Sequence, residues 1–588
     1  MSSPDNKDVS RASEQACEQR FRQRLAACRW YQKASRRLVR VKRIYQGAVI
    51  GYVVFDPTVA AVLPPFFLSL LPIIAVQIWW SHRWNLARRS VEFYRRSLER
   101  WHGDWSGRGD AGDRYRDPDH LYANDLDVFG RGSLFQWLCA PHMSSGCDVL
   151  AEWLTRPADA VTICERQVAV GELSQHLDMR EAIDSFPHAT ARIGQADLNT
   201  IAAARPTVPR AWLRWPIALA AWSWMVCLLL AWFRGGWWWQ PAVLGLLAEA
   251  TMYWWRRAEI RTICGRGYEL GASLKTLQAF SRIVAGHAWR SELLRRMAND
   301  SAAGGHWTRL PIAMGLGVVL QLPLVYFLAI QLWPWFESSF HQKLSHFPQA
   351  LAQLGHWETL AAFGAAAFEN PGSSFPVIGT EQSCFVAEAL THPLLKAEQA
   401  VANDIRLDSS QRLLLISGTN MSGKSTLLRA VGLNAVLALA GAPVHANKLI
   451  LSPLSVVTAM RFQDSLGTGT SYFYAVLQRM RQILEQLNQP VPLLFLLDEI
   501  LPGTNSHDRL IGAEAIIRRL LAAEAFGLVT THDLELTQIA SHLAPAAINM
   551  HFRDEVVAGK LSFDFRLRPG VVQSSNALKL MREMGIDV

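Results

Sequence analysis

The chain has 588 residues, half of them hydrophobic, with 23 tryptophans and a formal net charge of +9 at pH 7. That length accommodates two or three domains, and the apolar and tryptophan content points to a chain partly buried in lipid. The eight cysteines include no Cys-x-x-Cys pair, which argues against a zinc ribbon or disulfide framework and suits a reducing cytosol.

In chain order, residues 1–46 are polar and basic, a predicted helical segment too long to be the leading region of a cleavable signal. Residues 47–80 turn abruptly apolar, with Asp56 their one charged residue and Pro64-Pro65 near the middle. At ~1.5 Å per residue they predict two passes of about 25 Å each, a transmembrane hairpin. Residues 81–120 follow, of which Trp105 to Asp119, rich in Gly, Asp and Arg, reads as a linker. A helical stretch, 121–215, leads to a second apolar hairpin, 216–255, split by Arg234-Gly235-Gly236 and bordered by tryptophans. Arginines flank both hairpins on their outer sides (Arg40, Arg43, Arg83 and Arg88; Arg210, Arg214, Arg256 and Arg257), whereas the tips hold only Arg234. Positive charge therefore predicts that both hairpins open towards the cytoplasm. The +9 charge is compatible with nucleic acid, but topology and anionic lipid already account for these arginines. Residues 256–370 read as returning helices, ending in a connector at Ala350 to Ala367. Leu310 to Trp335, interrupted by prolines and glutamines, reads as a core or membrane-surface helix.

Residues 371–588 carry the chemistry. Gly418-Thr419-Asn420-Met421-Ser422-Gly423-Lys424-Ser425-Thr426 fits G-x-x-x-x-G-K-[ST] between an apolar strand, Arg412 to Ile416, and an apolar helix from Leu427. The glycines let backbone N–H groups face phosphate oxygens, and the helix start adds its positive end. Lys424 would reach the β- and γ-phosphates of ATP, and Ser425 would hold Mg²⁺. A second apolar run, Val491 to Leu497, closes on Asp498-Glu499. Asp498 at that strand tip suits the metal's water shell, and Glu499 suits deprotonation of an attacking water. A third strand, Phe526 to Thr531, delivers His532 to the same sheet edge, where it suits a γ-phosphate contact. Gly469-Thr470-Ser471 opening a helix forms a second anion site.

These residues resemble the MutS-type DNA mismatch repair ATPases. The family's T-G-P-N-M-x-G-K-S-T stands here as Ser417 to Thr426, its D-E-I-G-R-G-T-S-T as Asp498 to Ser506, and its T-H-x-x-E-L as Thr531 to Leu536. Its H-P and N-D-I landmarks correspond to His392-Pro393 and Asn403-Asp404-Ile405. Thr419 departs from the family's Pro, and Leu501-Pro502 from its Gly-Arg. A second likeness, from Asp125 to Phe135 and on through Ile163 to Val170, matches the start of the family's helical core. The family's mismatch-reading domain, with its Phe-x-Glu wedge, has no counterpart before Asp125.

The resemblance implies an α/β, doubly wound ATPase domain. It also implies a homodimer with composite sites, in which Ser471 of one chain completes the site of the other. The expected architecture is therefore that domain plus an all-α core interrupted by transmembrane hairpins, multi-pass in the cytoplasmic membrane with the ATPase facing the cytosol. ATP and Mg²⁺ are the expected cofactors, and DNA a possible partner with weak or absent mismatch discrimination. ABC-type transport and a membrane scaffold on a non-DNA partner are the competing readings; against transport, no L-S-G-G-Q precedes the acidic strand.

Overall fold

The computed structural model of the protein describes residues 4–55, 63–139, 143–185, 277–303, 347–379, 383–419, 421–461, 472–503, 505–557 and 560–572, with scattered positions between 226 and 251. The chain divides into two compact units. One comprises residues 1–140, 150–184 and 359–588, the other 141–149 and 185–358.

The first unit opens with two long helices, α1 (Pro4–Phe55) and α2 (Leu63–His102). Pro4 suits the first helical turn, and the Arg, Gln, Glu and Ala that follow are strong helix formers. The two run antiparallel: Cys17 lies 3.9 Å from Ser97, and the Trp30 and Trp80 rings are 6.2 Å apart.

Short helices follow: α3 (Leu134–Leu138), α4 (Ser144–Thr155), α5 (Ala160–Gln175) and α6 (Leu177–Asp184). Ser133 caps α3 and Asp159 caps α5, their side-chain oxygens accepting from the amides of Gln136 and Thr162. The base of the α1–α2 pair is fastened to α6 by charge. Arg24 pairs with Glu181 at 2.7 Å, Arg96 with Asp184 at 2.8 Å, and the Tyr94 hydroxyl donates to Glu181 at 2.6 Å. The same base holds the end of α8 (Phe347–Glu369), where Arg100 and Ser97 both donate to Glu369.

Among the described residues no helix is long and apolar enough to cross a membrane. This corrects the expected transmembrane hairpins, and with them the lipid partner and the multi-pass location. Within 47–80 the described apolar residues are divided between α1, up to Phe55, and α2, from Leu63, which carries Pro72 inside it. Helix α1 is polar and basic through Arg43, and its apolar part is only residues 47–55. At ~1.5 Å per residue that is about 13 Å, under half of a ~30 Å hydrocarbon core. The second expected hairpin, 216–255, lies outside the described residues except for scattered positions, among them the single turn Gly236–Trp238. Leu310 to Trp335 lies outside them altogether.

The second unit contains α7 (Glu292–Ala303) and the early turns of α8. Its core centres on the fully buried Trp357, whose ring lies 6.0 Å from that of Phe280 and 5.2 Å from that of Trp289.

The C-terminal part of the first unit holds two sheets. The smaller comprises β1 (Val377–Ile378), β2 (Phe385–Leu390), β3 (Asn403–Leu407) and β5 (Lys448–Leu451), in the order β1-β5-β2-β3. The larger comprises β4 (Leu413–Ser417), β6 (Ser455–Ala459), β7 (Leu493–Asp498), β8 (Phe526–Thr531), β9 (Ala547–Val557) and β10 (Lys560–Pro569). Its order is β10-β9-β4-β8-β7-β6, parallel throughout except for the terminal β9–β10 hairpin. Strands β4, β7 and β8 are continuous apolar runs because a parallel sheet is covered on both faces. The covering helices are α9 (Lys424–Ala440), α10 (Tyr472–Glu485), α11 (Ser506–Ala522) and the short α12 (Gln538–His542). Leu413, Leu415, Phe495 and Leu497 pack with Val476 and Ile483 of α10 and Ile517 and Leu520 of α11. Gly527 is required where β8 passes β7: a Cβ there would stand 1.9 Å from the Phe495 carbonyl oxygen.

Candidate functional site

Strand β4 stops at Ser417, and the chain turns through Gly418 and Thr419, then Met421 to Gly423, before α9 begins at Lys424. Gly423 has φ 102°, in the left-handed region that a side chain disfavours. No side chain caps α9, so its first N–H groups face outward at the positive end of the helix. The Lys424 ammonium donates to the carbonyls of Gly418, at 2.7 Å, and Thr419, at 2.9 Å. Burial lowers its pKa, and the Asp498 and Glu499 carboxylates raise it in opposition.

The acids arrive from β7, one strand beyond β8 in the sheet. The Ser425 hydroxyl donates to Asp498 Oδ2 at 2.5 Å, and Thr530, from the tip of β8, donates to the other carboxylate oxygen. Two hard-oxygen groups thus converge beside the phosphate loop, the donor chemistry that Mg²⁺ takes. Glu499 holds a strained φ of 54°, and its Oε1 lies 2.9 Å from His532 Nδ1. A carboxylate paired with an imidazole at the sheet edge can accept a proton from a water and pass charge to its partner.

The structure thus gathers Gly418, Thr419, Met421, Ser422, Gly423, Lys424, Ser425 and Thr426 with Asp498, Glu499 and His532 at the carboxyl edge of β4, β7 and β8, where doubly wound sheets bind ligands. His532, read as a phosphate contact, pairs with Glu499. Asn420 and Ser471 lie outside the described residues, and α10 begins at Tyr472.

Several neighbours escaped the sequence reading. Thr530 braces Asp498, and Thr419 lies 3.5 Å from the buried Asp554 of β9. The ring of Phe565, itself at φ 54°, lies against Gly423 from the β9–β10 hairpin. Asp125 and Asp127, far upstream, bind the end of β6. A polar residue closing an apolar strand was the available signal for Thr530; only the fold brings the others near. Leu501, which stands where the resembled motif has Gly, adopts φ 52°.

Residues 414–587 match the family model for MutS domain V. Over 244 residues the chain is 32% identical to the DNA mismatch repair protein MutS of Oleidesulfovibrio alaskensis, a match covering 40% of this chain and 26% of that protein. The matched region therefore spans about a quarter of that relative's length. Strand β4 from Leu414, the phosphate loop, the acidic tip of β7 and the His532 strand all fall within the matched residues. Residues 414–587 are thus similar to MutS domain V, and the likeness to MutS proteins is carried by that part of the chain.

Proposed function

We propose that this chain binds and hydrolyses ATP with Mg²⁺ at the loop Gly418 to Thr426. The carrying observation is the convergence of the phosphate loop, the Ser425–Asp498 pair and the Glu499–His532 pair on one edge of the parallel sheet. Lys424 and the amides at the start of α9 hold the phosphates. Ser425 and Asp498 would hold the metal ion, which supplies charge neutralisation at the phosphates. Glu499 takes the proton of the attacking water, and His532 orients that carboxylate.

The active form in this reading is a homodimer whose sites are completed by Ser471 of the opposite chain. Tyr474 and Leu477 on α10 and Ile511 on α11 are exposed, which supports a partner on this face. The function coupled to hydrolysis is DNA binding or mismatch-repair-related processing, supported by the likeness to a DNA mismatch repair protein.

ATP turnover measured alone and with homoduplex, mismatched and branched DNA tests the reading. Lys424→Ala is expected to abolish nucleotide binding, and DNA to stimulate the wild-type rate. Ser471→Arg is expected to inactivate the dimer. Full activity of Ser471→Arg would refute the composite site, and turnover indifferent to every DNA would point to a non-DNA partner.

A further inference from the structure

Residues 120–127 lie nearly three hundred positions before the phosphate loop, outside the matched domain, yet they are built into it. The Leu121 carbonyl accepts from the Thr458 amide at 2.9 Å, which fastens the segment to the edge strand β6. Arg479 of α10 donates to the carbonyls of His120 and Leu121. Leu126 seats on Gly432 of α9, where a Cβ would come within 2.6 Å of it. The Asp125 carboxylate then accepts from Thr458 Oγ1 and from the amides of Met460 and Arg461, closing the end of β6.

Asp127 completes the arrangement. Its carboxylate takes both guanidinium nitrogens of Arg461, at 2.6 and 2.9 Å, and lies 3.4 Å from Arg429 Nη1. Arg429 stands one helical turn beyond Ser425 on the same face of α9. Asp127 is its one ion-pair partner among the described residues, and its Nε is buried without an acceptor. Two guanidiniums this close repel, and the carboxylate between them holds both in place. Burial and the neighbouring Arg461 lower the Arg429 pKa, while Asp127, Asp125 and Asp498 raise it. Ser425, one turn earlier on the same face of α9, donates to Asp498, so the Arg429 guanidinium lies next to that carboxylate's side of the helix.

We propose that Asp127 is a positioning residue for the ATPase reaction: by engaging Arg429 and Arg461 it keeps Arg429 from pairing with Asp498 and leaves that carboxylate to the metal ion. The inference rests on the ATPase reading above. Without Asp127, a freed guanidinium one turn from Ser425 competes with Mg²⁺ for Asp498, so the defect is an increased demand for the metal ion. A merely structural role would lower activity without moving that demand.

The test is the Mg²⁺ dependence of binding of a fluorescent ATP analogue to the full chain, with hydrolysis followed in parallel. Asp127→Asn should raise the Mg²⁺ concentration for half-maximal binding about fivefold or more, and the deficit should narrow as Mg²⁺ is raised. Adding Arg429→Gln to Asp127→Asn should return the demand to within about twofold of wild type, because the competing cation is gone. An unchanged Mg²⁺ demand in Asp127→Asn, or a double variant no better than the single, overturns the proposal. If Asp127→Asn does not fold, Arg429→Gln alone decides: an unchanged or lower Mg²⁺ demand supports the proposal and a higher one overturns it. A wild-type chain that binds no nucleotide at any Mg²⁺ concentration removes the ATPase reading itself, an outcome separate from these.

Discussion

Glu369→Ala is expected to be among the most destabilising single changes in the protein. Glu369 closes α8, and its carboxylate side chain is only 3% exposed. It accepts from Arg100 Nε at 2.5 Å, Arg100 Nη2 at 2.6 Å and Ser97 Oγ at 2.5 Å. The Arg100 side chain is itself only 12% exposed. Each charge-assisted hydrogen bond contributes ~1.5–3 kcal/mol, but the three share one carboxylate and do not add. The larger effect is the guanidinium left buried without its counter-charge, so the loss should be about 3–5 kcal/mol. Replacing both partners with apolar groups, as in Glu369→Leu with Arg100→Met, removes that penalty and should recover most of the loss. Urea unfolding followed by tryptophan fluorescence reads the change, because Trp101 packs 6.1 Å from Phe368 beside this pair. With slopes of ~1–3 kcal/mol/M, the transition should move down by about 1 M or more. A single variant shifted by less than about 1 kcal/mol, or a double variant as weak as the single, would refute the reasoning.

Two further outcomes follow from strain and titration. Leu501→Gly relieves a left-handed φ at about 1 kcal/mol, but empties a buried site against Gly512 at ~2–4 kcal/mol. It should therefore destabilise on balance, and a raised melting temperature would show that strain outweighs packing there. Burial pulls the His445 pKa down to about 4, so the folded state stays neutral while the unfolded chain takes up a proton below its ordinary value of 6.5. Stability should accordingly fall as pH drops from about 6.5 towards 4. His445→Gln should flatten that slope in a pH series of melting temperatures, and an unchanged slope would exclude this histidine as a source.

The parts legible in the sequence were those whose signal is local. The strand, glycine loop and helix read around Gly418 to Thr426 stand as β4, its loop and α9, and β8 spans the Phe526 to Thr531 run read from its apolar residues. The place of Asp498 and Glu499 at a strand tip was readable because the apolar run Val491 to Leu497 closes on them, as β7 does at Asp498. Apolar content misled at 47–80, because hydropathy does not reveal how an apolar run is divided between helices. There α1 carries only a short apolar end, residues 47–55. The Asp127 cluster was illegible for a different reason: its partners are more than three hundred residues apart, and only the alignment of the 120–127 segment with β6 joins them. The Glu499–His532 pair likewise needed the strand order, which sets β7 beside β8.

The central claim is that this sheet edge hydrolyses ATP with Glu499 as the base. Single-turnover hydrolysis by purified Glu499→Gln, with nucleotide binding measured on the same sample, tests it most directly. Binding within a few-fold of wild type and hydrolysis slowed about 10²-fold or more is the expected result. Hydrolysis at the wild-type rate would contradict the account, and so would a loss of binding as complete as that of Lys424→Ala.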